Sequence, residues 1–378
     1  MIRKVKLISP QKLFLLTFLT IVLIVSVIYS QNKSFRRSSN RLELIHADVS
    51  RGIFKNGRLI RVLEGHVQAR QDTLELYCDK AIYDEKEKKI TLTDNVRLLR
   101  GKDTLTAKQI TYFELQQVAV AEGNVQVNRP GQFLRSDYLE YYYKTDQMRA
   151  SGHLILFDKE NRITITAKRG EYIPEKKTTF VEKKAHLIRL DSTQTDTIHI
   201  FSHRMEYIFD ENRRAIARDS VHFIQQNLHA TADSAIYFLD EDIAYLEIEP
   251  RAIQENNELF GKQMKLIMEN LELKEIHVLG AARAISVEDS LLEKENRLEG
   301  QEIILYISDG KLYEIRAISN AQSIYYLKED DEERGINVVS ADTIKVFFVN
   351  NELDSIMVIG GSQGIYYPEN YKGIIELE

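Results

Sequence analysis

The chain has 378 residues, 51 lysines and arginines against 57 aspartates and glutamates, and a net charge of −6 with histidine neutral. That balance speaks against a nucleic-acid partner, whose phosphates call for a basic surface, and one cysteine, Cys78, rules out an intramolecular disulfide framework. Proline is scarce (5), tryptophan is absent, and 19 tyrosines with 15 phenylalanines suit half-buried strands better than disorder.

Residues 1–30 stand apart. Arg3, Lys4, Lys6 and Lys12 precede an uncharged run from Leu13 to Tyr29, the pattern of a secretory signal peptide or of an N-terminal membrane helix. Ser30-Gln31 offers a small residue at a cleavage junction, whereas Ile28 is bulky where a small one is expected, so cleavage and a retained anchor both stay open. Either exports the remainder of the chain. Loss of the four positive charges would take the net charge from −6 to −10. Residues 31–41 read as a linker.

From residue 42 a unit of about thirty residues repeats. Its polar anchors are Asp48, Asp79, Lys108, Asp137, Lys168, His203, Asp233, Lys262, Gln301 and Asp342, spaced by 31, 29, 29, 31, 35, 30, 29, 39 and 41. Apolar or small residues recur at −3, −1, +2 and +4 from each anchor. The −3 row holds Leu76, Leu105, Leu134 and Ile165; the −1 row, always small, holds Cys78, Ala107, Ser136 and Ala167. Ala81, Ile110 and Leu139 stand in the +2 row. The +4 row is Tyr83, Tyr112, Tyr141, Tyr172, Tyr207 and Tyr237, then Leu266, Leu305 and Val346.

A period of two on each side of the anchor predicts a strand whose alternation breaks once, at a bulge or corner that lets two successive polar residues face outward. Strands about 4.8 Å apart would then line the tyrosines into an aromatic ladder. After each anchor strand a polar turn leads into a second alternating strand, and a Gly-x-Val stretch such as Gly123-Asn124-Val125 reads as a third short one. Only residues 261–274 hint at a helix, and they fit the repeat as well. The expected fold is all-β, open sheets folded over one another and lengthened unit by unit, with one N-terminal hydrophobic helix. Residues 191–196 are the best seam, dividing a first part (42–195) from a continuous second part (196–378). Residues 286–296 and 328–334 read as charged edge loops, and residues 362–368 as a terminating strand.

Chemistry-bearing motifs are sparse. His66, His153 and His186 share one slot with Asn95 and Asn124, but whole repeats separate them, which suits a solvated polar row better than a metal site. No phosphate loop, nucleophile elbow or Ser/His/Asp set appears, so the chain reads as no enzyme, with no cofactor and no metal. Cys78 fills a small-residue packing slot.

The recurrent small-Asp-x-Ala-x-Tyr strand, best seen at residues 76–83, 134–141 and 230–237, followed by a turn and a Gly-x-Val strand behind an export segment, resembles the OstA-like family of lipopolysaccharide transport proteins: LptA, LptC and the N-terminal domain of LptD. The resemblance covers about residues 42–378. It implies a β-jellyroll with a V-shaped cross-section, whose interior shields lipid A acyl chains and whose members join end to end between the inner and outer membranes. On that reading the four inward rows line a lipid groove in the periplasm. Lipopolysaccharide and other jellyroll components, or further copies of the chain, are the partners. The chain departs from the family in holding more repeats than one LptA or LptC module needs and in lacking the membrane barrel of LptD. A structural β-solenoid scaffold without lipid is the alternative.

Overall fold

A computed structural model describes residues 42–55, 57–191, 197–289, 294–329, 332–349, 352–369 and 371. The export segment, the linker at 31–41 and residues 192–196 of the seam lie outside these residues. The described chain is almost entirely strand, with a single 3-10 turn at Pro174–Lys176.

The strands run in chain order. At the start stand β1 (Glu43–His46), β2 (Val49–Lys55) and β3 (Arg58–Gln71). A long regular run continues with β4 (Leu74–Asp84), β5 (Lys89–Arg100), β6 (Asp103–Phe113), β7 (Val118–Arg129), β8 (Gln132–Tyr142), β9 (Gln147–Asp158), β10 (Ile163–Ile173), β11 (Thr178–Leu190), β12 (Thr197–Ile208), β13 (Arg214–Gln225) and β14 (Leu228–Phe238). Four short strands come next: β15 (Ile243–Glu247), β16 (Arg251–Gln254), β17 (Asn257–Phe260) and β18 (Gln263–Glu269). The chain ends with β19 (Glu272–Asp289), β20 (Lys294–Ser308), β21 (Lys311–Glu329), β22 (Glu332–Val349), β23 (Glu352–Ile359) and β24 (Gln363–Pro368).

From β3 to β14 each strand pairs antiparallel with the next. The pairing of β11 with β12 carries the sheet across the seam. β14 then pairs with both β15 and β16, and these continue through β18 and β17 to β19. β19 to β22 resume the simple order, so residues 261–274 form strands rather than a helix. β1 and β2 both border β3 at one end, and β23 and β24 both border β22 at the other.

This meander is folded lengthwise. In β4 the register skips between Tyr77 and Lys80, and the same skip recurs at the anchors of β6, β8, β10 and β12. Odd-numbered strands cross the fold line differently, through two consecutive left-handed residues: Gly65-His66, Asp94-Asn95, Gly123-Asn124, Gly152-His153, Lys183-Lys184 and Asp219-Ser220. Gly, Asn and Asp tolerate that conformation best. Glycine at 152 has a second reason: a Cβ there would sit 2.8 Å from the Cβ of Asp137, the anchor lying over it. His153 Nδ1 donates to the same carboxylate at 2.7 Å, as His66 Nδ1 does to Asp48 at 2.9 Å. The histidine slot is thus the partner of the anchor. His186 falls two residues beyond its left-handed pair, outside that slot, and stacks between His199 and Phe201 instead.

Each strand therefore contributes to two walls. The first wall lies between the fold line and turns such as 72–73, 101–102 and 130–131; the second lies between the fold line and turns such as 85–88, 114–117 and 143–146. Each unit comprises two strands, because the Gly-x-Val stretch continues the second strand past the fold line. The tyrosine ladder is corrected for the same reason. Successive +4 tyrosines lie two strands apart, about 9.5 Å, with Ile90, Ala119, Met148 and Thr179 of the intervening strands between them.

The inner faces of both walls form one apolar core that runs unbroken from Leu63 to Ile344. Burying each Leu, Ile or Val there is worth roughly 1.5–3 kcal/mol, which is how a chain without disulfides holds so long a sheet together.

Candidate functional site

The structure brings the four predicted rows together in this interior. Nearest the fold line sit Cys78, Ser136 and Ala167, buried, and Ala107, half-buried. Small side chains are needed there because the walls converge. Ser136 satisfies its hydroxyl by donating to the Tyr138 carbonyl at 3.1 Å, and burial pushes the Cys78 thiol up to about 12, which leaves it unreactive at neutral pH. Leu76, Leu105, Leu134 and Ile165 face Ala81, Ile110 and Leu139 across the middle of the trough, all buried. Tyr112, Tyr141, Tyr207 and Tyr237 are buried near its mouth, with Tyr83 and Tyr172 half-buried.

Residues absent from the predicted set complete the lining. Val96, Leu98, Ala121, Val125, Val127 and Leu154 come from the intervening strands. More informative is a polar row along the edge of the first wall: Gln71, Arg100, Arg129, Asp158 and Arg189, each at or next to the end of an odd-numbered strand. The first four are 29 residues apart. This spacing was the signal available in the sequence, hidden because each residue borders a turn.

These side chains reach across the mouth to the tyrosines. Tyr112 Oη donates to Gln71 Oε1 at 2.5 Å. Arg100 Nη1 and Arg129 Nη2 donate to Tyr141 Oη at 3.5 and 3.3 Å; Arg129 also reaches Asp146 Oδ1 at 3.0 Å, and Tyr141 donates to that same carboxylate. The Arg129 guanidinium lies 5.2 Å from the Tyr172 ring centroid. Tyr207 Oη donates to Asp158 Oδ2 at 3.3 Å and accepts from Asn161, which Arg213 holds. Arg189 donates to Tyr237 Oη and, at 2.7 Å, to Asp242 Oδ1. From Tyr112 onward each of these tyrosines is joined to the strand three before its own: β6 to β3, β8 to β5, β10 to β7, β12 to β9 and β14 to β11. Burial pushes the Tyr112 and Tyr141 hydroxyls up to about 12 and raises those of Tyr207 and Tyr237, so all four remain protonated donors.

Space inside the trough is uneven. Between the clasped walls a void of about 70 Å³ lies beside Leu134, Met148, Ile165 and Tyr207. In the last third a cavity of about 310 Å³ opens between Ala284, Leu298 and Ser323 of the first wall and Ile315, Val346 and Phe348 of the second. A concavity of about 540 Å³ lies outside the second wall over β8 to β13, where Arg149–Glu171 (3.0 Å) and neighbouring arginines and glutamates neutralise one another.

Both ends of the sheet expose apolar side chains: Leu44, Ile45, Val49, Ile53 and Phe54 on β1 and β2, and Met357, Ile359, Ile365 and Tyr366 on β23 and β24. Among the described residues no three His, Cys, Asp or Glu side chains converge on a possible metal position, and no helix is long and apolar enough to cross a membrane.

Residues 39–195 match the family model described as OstA-like protein. The LPS-assembly protein LptD of Nitrosomonas europaea is 30% identical over 103 residues, 24% of this chain and 14% of that protein, and LptD of Nitrosomonas eutropha is 29% identical over the same length and shares. The chain thus matches only a small part of these curated relatives. Among solved structures, LptH of Pseudomonas aeruginosa, described as the LptA homologous periplasmic component of the lipopolysaccharide transport device, matches at 14% identity and a TM-score of 0.27 over 34% of this chain and 82% of that one. The architecture itself rests on the strand pairing alone.

Proposed function

From the match of residues 39–195 to the OstA-like family model, we propose that the chain is a periplasmic, non-enzymatic carrier in lipopolysaccharide transport to the outer membrane, holding lipid A acyl chains between its two walls. The observation that carries this reading is the single apolar interior shared by both walls from Leu63 to Ile344, reached along one polar-rimmed mouth. An amphiphile fits such a section: tails between the walls, head at the rim. Each buried methylene contributes roughly 0.8 kcal/mol, so ten approach 8 kcal/mol before ordering costs. The exposed apolar ends, each bordered by unpaired strand edges, suit β-augmentation by another jellyroll or a further copy of the chain. Residues 13–29 would tether the array to the inner membrane or be removed after export.

A scaffold reading has one observation in its favour, the small void between the clasped walls. A photo-crosslinking amino acid separates the two. Placed at buried Tyr112 it should capture lipopolysaccharide in cells, and placed at Gln109, on the outer face one strand position from the core, it should not. Equal labelling at both positions, or none at either, leaves the scaffold.

A further inference from the structure

We infer that the crease of β10 to β13 is a binding site for a phosphorylated saccharide, which sets its phosphate on Lys168, Lys183 and Lys184 and its ring in the adjoining concavity outside the second wall. The site lies on the outside of the folded sheet, away from the trough, so the inference goes beyond the carrier reading and does not rest on it.

A missing tie is the first ground. At three other creases the anchor carboxylate is hydrogen-bonded to the left-handed pair of the following strand: Asp48 to His66 at 2.9 Å, Asp79 to Asn95 at 2.6 Å and Asp137 to His153 at 2.7 Å. The same register on β10 and β11 sets the anchor Lys168 against Lys183 and Lys184, and His203 of β12 borders that pair from the other side. Among the described residues none of the three ammonium groups has a hydrogen-bond or ion-pair partner. Lys183 and Lys184 also hold φ angles of 64° and 62°, where Asn, Asp or Gly would sit with less strain. Like charges brought together on a strained backbone mark a place where an anion completes the structure.

The second ground is the distribution of charge. Arg169, Arg204 and Arg218 extend the lysines over four strands, about 14 Å of crease, and all six side chains are exposed. Two carboxylates share this stretch, and both already face arginines: Glu182 lies 3.6 Å from Arg169, and Asp219 accepts from Arg204 at 3.1 Å. On either side the crease is acidic on balance, with Asp48, Asp79, Asp94 and Asp137 against Lys80 and Lys108 before it, and Asp233, Glu302 and Asp342 against Lys262 after it. A compact anion fits a basic stretch bounded in this way, whereas an extended anionic surface would meet the acidic flanks. Lysine point charges beside arginine forks favour phosphate.

The third ground is the concavity itself. Arg169, Arg204 and Arg218 line it, and its volume of about 540 Å³ is that of a small-ligand site. Phe180, 39% exposed, and Tyr138 present aromatic faces there beside Ser151. The hydroxyls of Tyr138 and Tyr142 fix Glu140 at 2.8 and 2.6 Å. Apolar ring faces set among fixed hydrogen-bonding groups match a pyranose, which has a C–H face and a rim of hydroxyls.

Isothermal titration calorimetry tests the site on the full chain in phosphatidylcholine nanodiscs, with glucose 1,6-bisphosphate, inorganic phosphate and glucose as probes and empty nanodiscs as the blank. The bisphosphate should bind about tenfold more tightly than inorganic phosphate, and glucose should give no measurable heat. Lys183→Asn with Lys184→Asn removes two charges and suits the left-handed backbone; it should weaken both phosphate probes about tenfold, while a thermal melt reports its fold. Phe180→Ser should weaken the bisphosphate about fivefold and leave inorganic phosphate unchanged. Equal binding by the asparagine variant, or a bisphosphate affinity that Phe180→Ser leaves unchanged, would overturn the inference. Binding to phosphatidylglycerol vesicles with no response to the bisphosphate would overturn it too and assign the crease to a membrane surface. Crosslinking at Tyr112 is independent of these outcomes, so the carrier reading stands or falls separately.

Discussion

Between β4 and β14 the walls are packed and laced; between β19 and β24 the same repeat leaves a cavity. The difference does not lie in the fold line, which both regions cross through left-handed pairs, Gly152-His153 in one and Gly360-Gly361 in the other. It lies at the mouth, where a tyrosine hydroxyl meets an arginine, aspartate or glutamine in the first region and an aliphatic residue replaces it in the second. One change of side chain per unit, far from the crease, decides whether the trough is shut.

A buried charge should divide the two regions most sharply. Ile110, fully buried, lies deep between laced walls, so Ile110→Asp should cost more than about 4 kcal/mol and abolish a cooperative melt. Leu298 lines the cavity, and Leu298→Asp should cost about 1–3 kcal/mol because water can reach it. Equal losses in urea unfolding would erase the distinction.

Gly152→Ala and Gly360→Ala place the same strain in each region. At 152 the added carbon meets the Asp137 side chain inside a sheet continuous on both flanks, for an expected loss of about 2–3 kcal/mol; at 360 it meets Asp342 beside an open edge that can shift, for about 1 kcal/mol. Melting temperatures of the two variants check the order.

Removing hydroxyls tests the lacing alone. Tyr207→Phe and Tyr237→Phe should each cost about 1–2 kcal/mol, since Asp158 and Asp242 lose a donor at a half-solvated rim. Hydrogen exchange should quicken in β9 to β14 and stay unchanged in β20 to β22.

The smallest effect concerns pH. Burial first, and then the charge of His199, lowers the His186 pKa below its usual 6.5. The neutral ring is the folded form, so its contribution is complete above 6.5 and declines as pH falls and the unfolded chain takes up the proton. Melting temperature should drop slightly from pH 7.5 to 5.5, and His186→Phe should remove that part of the drop.

Much of the trough was legible in the sequence because alternation and a fixed anchor dictate which side chains face inward: Leu76, Ile110 and Tyr141 could be placed without coordinates. The clasps were not. Arg129 and Asp158 border turns, where polar residues ordinarily meet solvent, and only contact between strands three apart reveals their partners. The tyrosine ladder failed because one unit spans two strands, and His186 failed because residues 183–184 move the crease ahead of it. The cavity was not legible, since its size depends on how far the two walls diverge as well as on which residues line them.

The three-strand offset of the clasps has a mechanical consequence. A tie is a direct contact, 2.5 Å at Tyr112 and 3.5 Å at Tyr141, between strands three apart in sheet order, so successive ties bracket overlapping sets of strands, and cutting one leaves its neighbours bearing the load across the same gap. Such a seam yields stitch by stitch under a travelling wedge and reseals behind it, which gives a long molecule a way to pass a bulky object while most of its length stays closed.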